Sequence, residues 1–536
     1  MLILVAISVL VIIPLIMSII QLFRPNFPFQ WPLALLGALT AWVLVLISRT
    51  TGSQVIPVIN WQPTLLFPSS PALLVDPISW IYGSALLTLN LAVLLTAVIR
   101  RPQAGWRAWA GTLILSGIGL IAIFAGNLLT LMMGWAALDL FEALTLFSWL
   151  RRSEVRVRFL IALSTRIFGI AFLISAGIVS RANGEATSFT SIPSSASILL
   201  LIAAAFRLGV LPLQPPFLQD HPFRRGLGTS LRFVPVAASL VLLARAGGTQ
   251  IPVTYAPFLL VFVGIAAVYS AISWMAAKSE LSGRPYWILA TASFAVAGAI
   301  RMRPEASVAW GMVCILSGSA LFMYGLRSKG LNAIMLLGTL ALTAFPFTPT
   351  WSGAAIYQLN RAGSTLYFDI LINLILLFSQ LVLVFGYLRH ALRVVELPSG
   401  LERWIWIFYP LGLGILILAE YLLGWQIWIE WGQPPGNSSW VGGIVCITVV
   451  ALWVLLHRPE GFQTLRRYSK GMTAWGTSFW SKLLGMEWFF HFIWVSYHFT
   501  SRILTWVTDI LEGEGGILWA LVFLFLLFSL TLRGGG

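Results

Sequence analysis

The chain has 536 residues, of which 59% are hydrophobic and only 10% charged, with a mean hydropathy of +0.89. A water-soluble protein of this size has no use for so much apolar surface, and long uncharged runs recur from end to end, so a lipid bilayer is the solvent for nearly all of it. The formal net charge of +15 would suit a nucleic-acid binder by number alone, but the cations fall on short loops between apolar runs, which excludes that class.

In chain order, the pattern predicts an all-α polytopic membrane protein with about sixteen spans of ~20 residues. Met1 to Phe23 has no basic leader and no small-residue cleavage site, so it reads as a retained first span. Between the second and third spans, residues 51–80 carry short alternating stretches that predict a β-hairpin. Spans three to fifteen then follow at short spacing. Basic residues recur on alternate loops, among them Arg100 and Arg101, Arg151 and Arg152, Arg224 and Arg225, Arg327 and Lys329, and Arg466 and Arg467. Arg301 and Arg303 are the exception. By the positive-inside rule these loops are cytoplasmic and both termini lie on the outer side. Residues 458–515 mix basic and aromatic side chains and predict a lateral interfacial segment. A final span within 516–536 closes the chain, after the transmembrane domain of 1–457.

Composition leaves little room for enzyme chemistry. Cys314 and Cys446 lie inside apolar runs and read as small buried hydrophobes. The five histidines fall near span ends, where an amphipathic ring suits the interface. With no phosphate loop, no His/Cys cluster and no Ser-His-Asp arrangement, the sequence predicts no catalytic residue, no metal and no cofactor.

What remains is a set of ionisable residues inside apolar spans. Asp139 and Glu142 lie in "LMMGWAALDLFEALTLFSWL", three apart and so on one helix face. Arg166, Arg207 and Arg232 lie in the next three spans. Such residues face a bundle interior and pair with one another, either along an ion pathway or as fixed pairs that hold helices together. Prolines in "FRLGVLPLQPPF" and "LRFVPVAAS" predict broken helices in spans seven and eight, at the depth of Arg207 and Arg232. The expected pairing is Arg207 with Asp139 or Glu142, with Arg166 as the competing cation, and Arg207 is also expected to satisfy carbonyls freed at the break.

These breaks, taken with "LLVDPISWIYG", "STRIFG" and "GTLALTAFPFTPTWSG", resemble the antiporter-like membrane subunits of respiratory complex I. The same family includes subunits of Mrp-type cation/proton antiporters and of membrane-bound hydrogenases. The sixteen spans and the lateral segment resemble the layout of the largest such subunit of complex I, and the resemblance covers essentially the whole chain. It implies a further broken helix in span twelve, other membrane subunits as partners, protons or Na⁺ as the moving ion, and no cofactor in this subunit.

The departures bear on mechanism. The family's span-five glutamate follows a tryptophan; here Trp135 is followed by Ala136. Its span-seven lysine reads as Arg207, and its span-eight histidine or lysine reads as Phe233. The span-six aspartate reads as Gly169, the span-eleven histidine and lysine fall near Cys314 and Gly318, and the Ser-Lys of span twelve reads Ser352-Gly353. A proton carrier must gain and lose its proton, which a lysine can do when buried and an arginine effectively cannot. Asp139 or Glu142 could stand in for the missing glutamate, whereas spans nine to thirteen offer almost no midplane ionisable group. Three readings stay open: a proton- or cation-translocating subunit with an altered route, a scaffold subunit that has lost the route, and a membrane partner in inorganic-carbon uptake.

Overall fold

The computed structural model describes residues 1–457 except 26, 60, 62–69, 101–104, 148–152, 186–187, 215–224, 250–254, 327, 359–365, 394–402 and 433–438. Beyond 457 it describes only scattered residues between 495 and 525. It divides into two compact units, Met1–Phe462 and Gln463–Gly536. The second is almost entirely outside the described residues, and the predicted lateral segment and last span fall there.

Among the described residues of the first unit run fifteen α-helices. They are α1 (Leu2–Phe23), α2 (Gln30–Ile47), α3 (Pro77–Thr96), α4 (Trp106–Ile123), α5 (Leu128–Phe147), α6 (Ser153–Ala182), α7 (Ser194–Leu208) and α8 (Leu227–Ala246). The chain continues with α9 (Ala256–Ala276), α10 (Glu280–Ile300), α11 (Pro304–Met323), α12 (Lys329–Ala341), α13 (Leu366–Ala391), α14 (Ile405–Trp431) and α15 (Ser439–His457). Eleven of these segments are long and apolar enough to cross a bilayer. The protein is an all-α, multi-pass membrane protein, and helices dominate because in lipid each backbone polar group needs a partner within its own segment.

The predicted hairpin is present. Strands β1 (Gln54–Pro57) and β2 (Ala72–Val75) pair antiparallel with Gln54 opposite Val75. The segment "VDPIS" then starts α3. Asp76 accepts from the backbone N–H of Ser79 at 2.7 Å, the Ser79 hydroxyl accepts from the Asp76 N–H, and Pro77 occupies the first helical position, where no N–H is needed.

α3, α8 and α11 are buried along almost their full length. α8 packs on α3, α4, α5, α7, α10 and α11, while α14 packs on α3 and α11. The outer helices keep apolar faces exposed, as with Leu15 and Ile19 of α1 and Leu371 and Leu374 of α13, which is how a lipid-facing surface reads.

Two of the three predicted breaks are found. α7 stops at Gly209, whose φ of 77° is left-handed, and a turn through Gln214 follows. α12 stops at Ala341, and non-helical backbone leads to a short 3-10 turn at Ser352–Tyr357. Gln380 of α13 donates to the freed carbonyl of Leu342 at 2.9 Å. The predicted break in span eight is corrected: α8 runs unbroken through Pro235. A proline removes one helix hydrogen bond, and a helix enclosed by six neighbours keeps its path through that loss.

Candidate functional site

The site is built on one stripe of α5. Trp135, Asp139 and Glu142 are spaced i, i+4 and i+7, so an indole and two carboxylates line up on one face. Three arginines from α6, α7 and α8 meet that stripe. None of the five charged residues is more than 8% exposed.

Arg207 leaves the last turn of α7 and grips Asp139 at two points. Nη1 donates to Oδ2 at 2.7 Å and Nη2 to Oδ1 at 2.8 Å, the fork geometry that suits guanidinium to carboxylate. The guanidinium carbon lies 4.3 Å from the centre of the Trp135 ring, so the cation is stacked on an aromatic face as well. Arg166 donates to Glu142 and approaches Asp139 at 3.5 Å. Arg232 donates to the other oxygen of Glu142. The structure thus joins all five predicted residues into one chain of contacts, Arg207–Asp139–Arg166–Glu142–Arg232.

One expectation about Arg207 is corrected. Two carbonyls at the end of α7, those of Phe206 and Ala205, are taken by the backbone N–H groups of Gly209 and Val210, and the Gln214 side chain also reaches Phe206. The only backbone carbonyl that Arg207 contacts among the described residues is that of Arg166, at 3.4 Å. Its fork is committed to Asp139, which leaves it turned away from its own helix end.

Three glycines stand at or near the positions where the resemblance would place polar or charged residues. A β-carbon on Gly169 would lie 2.7 Å from Cγ of Arg207. One on Gly318 would overlap the indole nitrogen of Trp287 and come within 2.8 Å of the Phe233 ring. One on Gly353 would lie 2.8 Å from the indole nitrogen of Trp310. Each glycine is therefore covered by a large side chain from a neighbouring helix. Trp287 donates to the carbonyl of Cys314 at 3.0 Å and packs with Trp274, Phe322 and Tyr387, while Phe233 stacks on Phe322. The surroundings of Gly318 are aromatic.

Several polar groups of the interior escaped the sequence reading. Trp135 and Gly169, noted in the sequence only as departures from the family's pattern, also shape the arginine cluster, and the i, i+4, i+7 spacing of Trp135 with the two acids was the available signal. Arg245 at the end of α8 reaches Ala125 O at 2.6 Å and Asp76 at 3.3 Å, which pins α8 to the start of α3. Arg225 bonds Glu280 at 2.6 Å and Phe322 O at 2.8 Å. Glu420, midway along α14 and fully buried, hydrogen-bonds Ser317 of α11 at 2.6 Å. A single glutamate in a run of apolar residues was its only signal.

No protein-family model and no curated protein matches the sequence. Among solved structures, a chain of the Mrp complex from Dietzia sp. DQ12-45-1b matches over 100% of this chain with a TM-score of 0.70 at 15% identity. This chain spans 63% of that chain's length. The protein is a multi-pass membrane protein that shares the fold of a chain of the Mrp complex.

Proposed function

We propose that the protein is an antiporter-like membrane subunit of a multi-subunit ion-translocating assembly of the Mrp or complex I type. In this reading its α5–α8 charges form a fixed ion-pair lattice that does not relay protons. Support for the assembly comes from the shared fold and from the motifs that resemble the family. The observation that carries the fixed lattice is the two-point pair of Arg207 with Asp139 under the Trp135 ring. Arginine does not release its proton at any accessible pH, so the cation at the break of α7 is permanent. A proton arriving at Asp139 would have to break two charge-assisted hydrogen bonds in a buried site.

The glycines support the same reading. Gly169, Gly318 and Gly353 remove side-chain functionality along the line a midplane relay would take, and Arg207, Trp287 and Trp310 fill the space. A proton path needs titratable or hydrogen-bonding groups in series, and at Gly318 and Gly353 the Trp287 and Trp310 rings stand in place of such groups.

The partners in this reading are other membrane subunits, with residues 458–515 lying along the membrane plane against one of them and 516–536 crossing the bilayer. Both termini face outside. Purification in mild detergent tests the assignment. Several small antiporter subunits would support an Mrp-type assembly, and a flavoprotein with an iron–sulfur arm a complex I type. Recovery of the chain alone, with its tail intact, would contradict it.

A further inference from the structure

Away from the arginine cluster, the carboxyl group of Glu420 is buried with no cation paired to it among the described residues. Glu420 lies midway along α14 with no exposed surface. Its Oε1 is 2.6 Å from the Ser317 hydroxyl of α11, and its Oε2 meets no hydrogen-bond partner among the described residues. The ionisable groups around it are phenols: Tyr387 of α13, whose hydroxyl bonds the Ser317 carbonyl at 3.3 Å, and Tyr421 on its own helix, which turns to Leu337 O. Among the described residues no arginine, lysine or histidine pairs with it.

This is the reverse of the arginine cluster. Asp139 and Glu142 are buried with cations on every side, whereas Glu420 is buried among a serine, two phenols and apolar side chains. An isolated carboxylate in such surroundings would be an unpaired charge with one bare oxygen, the arrangement that burial penalises most. The carboxylic acid form removes the charge and keeps the short bond to Ser317, since either hydroxyl can donate to the other oxygen.

We propose that Glu420 is a proton-binding site, a carboxylic acid that holds an exchangeable proton at neutral pH against Ser317. The chain then separates its charges by region. The acids of α5 are locked to arginines, and the titratable proton is held between α11 and α14. The assignment rests on local geometry and holds whether or not the subunit belongs to the assembly proposed above.

Infrared spectroscopy of the full-length protein in nanodiscs tests it. The wild type at neutral pH should show the carbonyl band of a protonated carboxyl group, and that band should shift in D₂O. Glu420→Gln should remove it. Ser317→Ala should keep the band but move it to higher frequency, because its hydrogen bond is lost, and this second variant serves if the first does not fold. A band that survives Glu420→Gln, ignores Ser317→Ala or stays fixed in D₂O overturns the proposal.

Discussion

Gly169 of α6 lies so close to Arg207 of α7 that a β-carbon on it would come within 2.7 Å of the arginine Cγ and 3.3 Å of the Ala203 carbonyl. The contact is with the stem of the side chain and with backbone, neither of which can swing aside. The glycine and the arginine are therefore one structural unit: the missing side chain at 169 is the space in which the Arg207 stem passes to Asp139.

It follows that Gly169→Ala should be costly although it adds one methyl group. Overpacking a filled interior typically costs about 1–3 kcal/mol. Thermal unfolding in detergent should show a lowered midpoint for Gly169→Ala, and no such change for Gly414→Ala on α14, where nothing lies within 4 Å of the added carbon.

The Arg207–Asp139 pair predicts a non-additive mutant cycle. Arg207→Met alone leaves Asp139 buried with Arg166 only at 3.5 Å, and Asp139→Asn alone leaves Arg207 without its acid. Removing one partner of a buried pair costs about 3–5 kcal/mol in soluble hosts, because the other charge is left uncompensated. The double variant Asp139→Asn/Arg207→Met should be more stable than either single variant. Additive losses in unfolding experiments would show that the two residues are not coupled.

Glu142 is contacted by two arginines, so its neighbourhood should respond unequally. Arg232→Met leaves the acid with Arg166, whereas Glu142→Gln takes the shared acid from Arg166 and Arg232 together. The glutamate variant should therefore lose more stability than the arginine variant, in the same unfolding measurement. Equal losses would mean that Arg166 and Arg232 do not share the acid.

Much of this was legible in the sequence. The spans, the hairpin and the α7 break follow from hydropathy, alternation and glycine–proline punctuation, signals that act locally, whereas the α12 break was expected from the resemblance. The five charged residues of the cluster stood out because a charge in an apolar run is rare, and that rarity named the members of the cluster. Which acid takes which arginine was not legible, since the rotation of α5 against α6, α7 and α8 is set by packing across distant segments. Pro235 misled for the same reason: a proline looks like a break, but six surrounding helices hold α8 through it. Trp287 over Gly318 and Ser317 beside Glu420 join helices tens of residues apart, and neither contact leaves a mark on either strip of sequence.

Topology can be checked directly. A tag in the loop of Arg151 and Arg152 should be reached only from the cytoplasmic side, and one between residues 68 and 71 only from outside. Labelling in the opposite sense would invert the orientation proposed here, and labelling of both on one side would change the span count.

In the proposed function the arginine–carboxylate cluster is fixed and carries no protons. Its most direct test is proton movement by the intact assembly in sealed membrane vesicles, comparing the wild type with Asp139→Asn/Arg207→Met. A group that transfers protons in the rate-setting step contributes about 10²- to 10⁴-fold. With assembly and abundance unchanged, the double variant should move protons at the wild-type rate. A loss of about 10²-fold or more would identify Asp139 as a carrier and contradict the account.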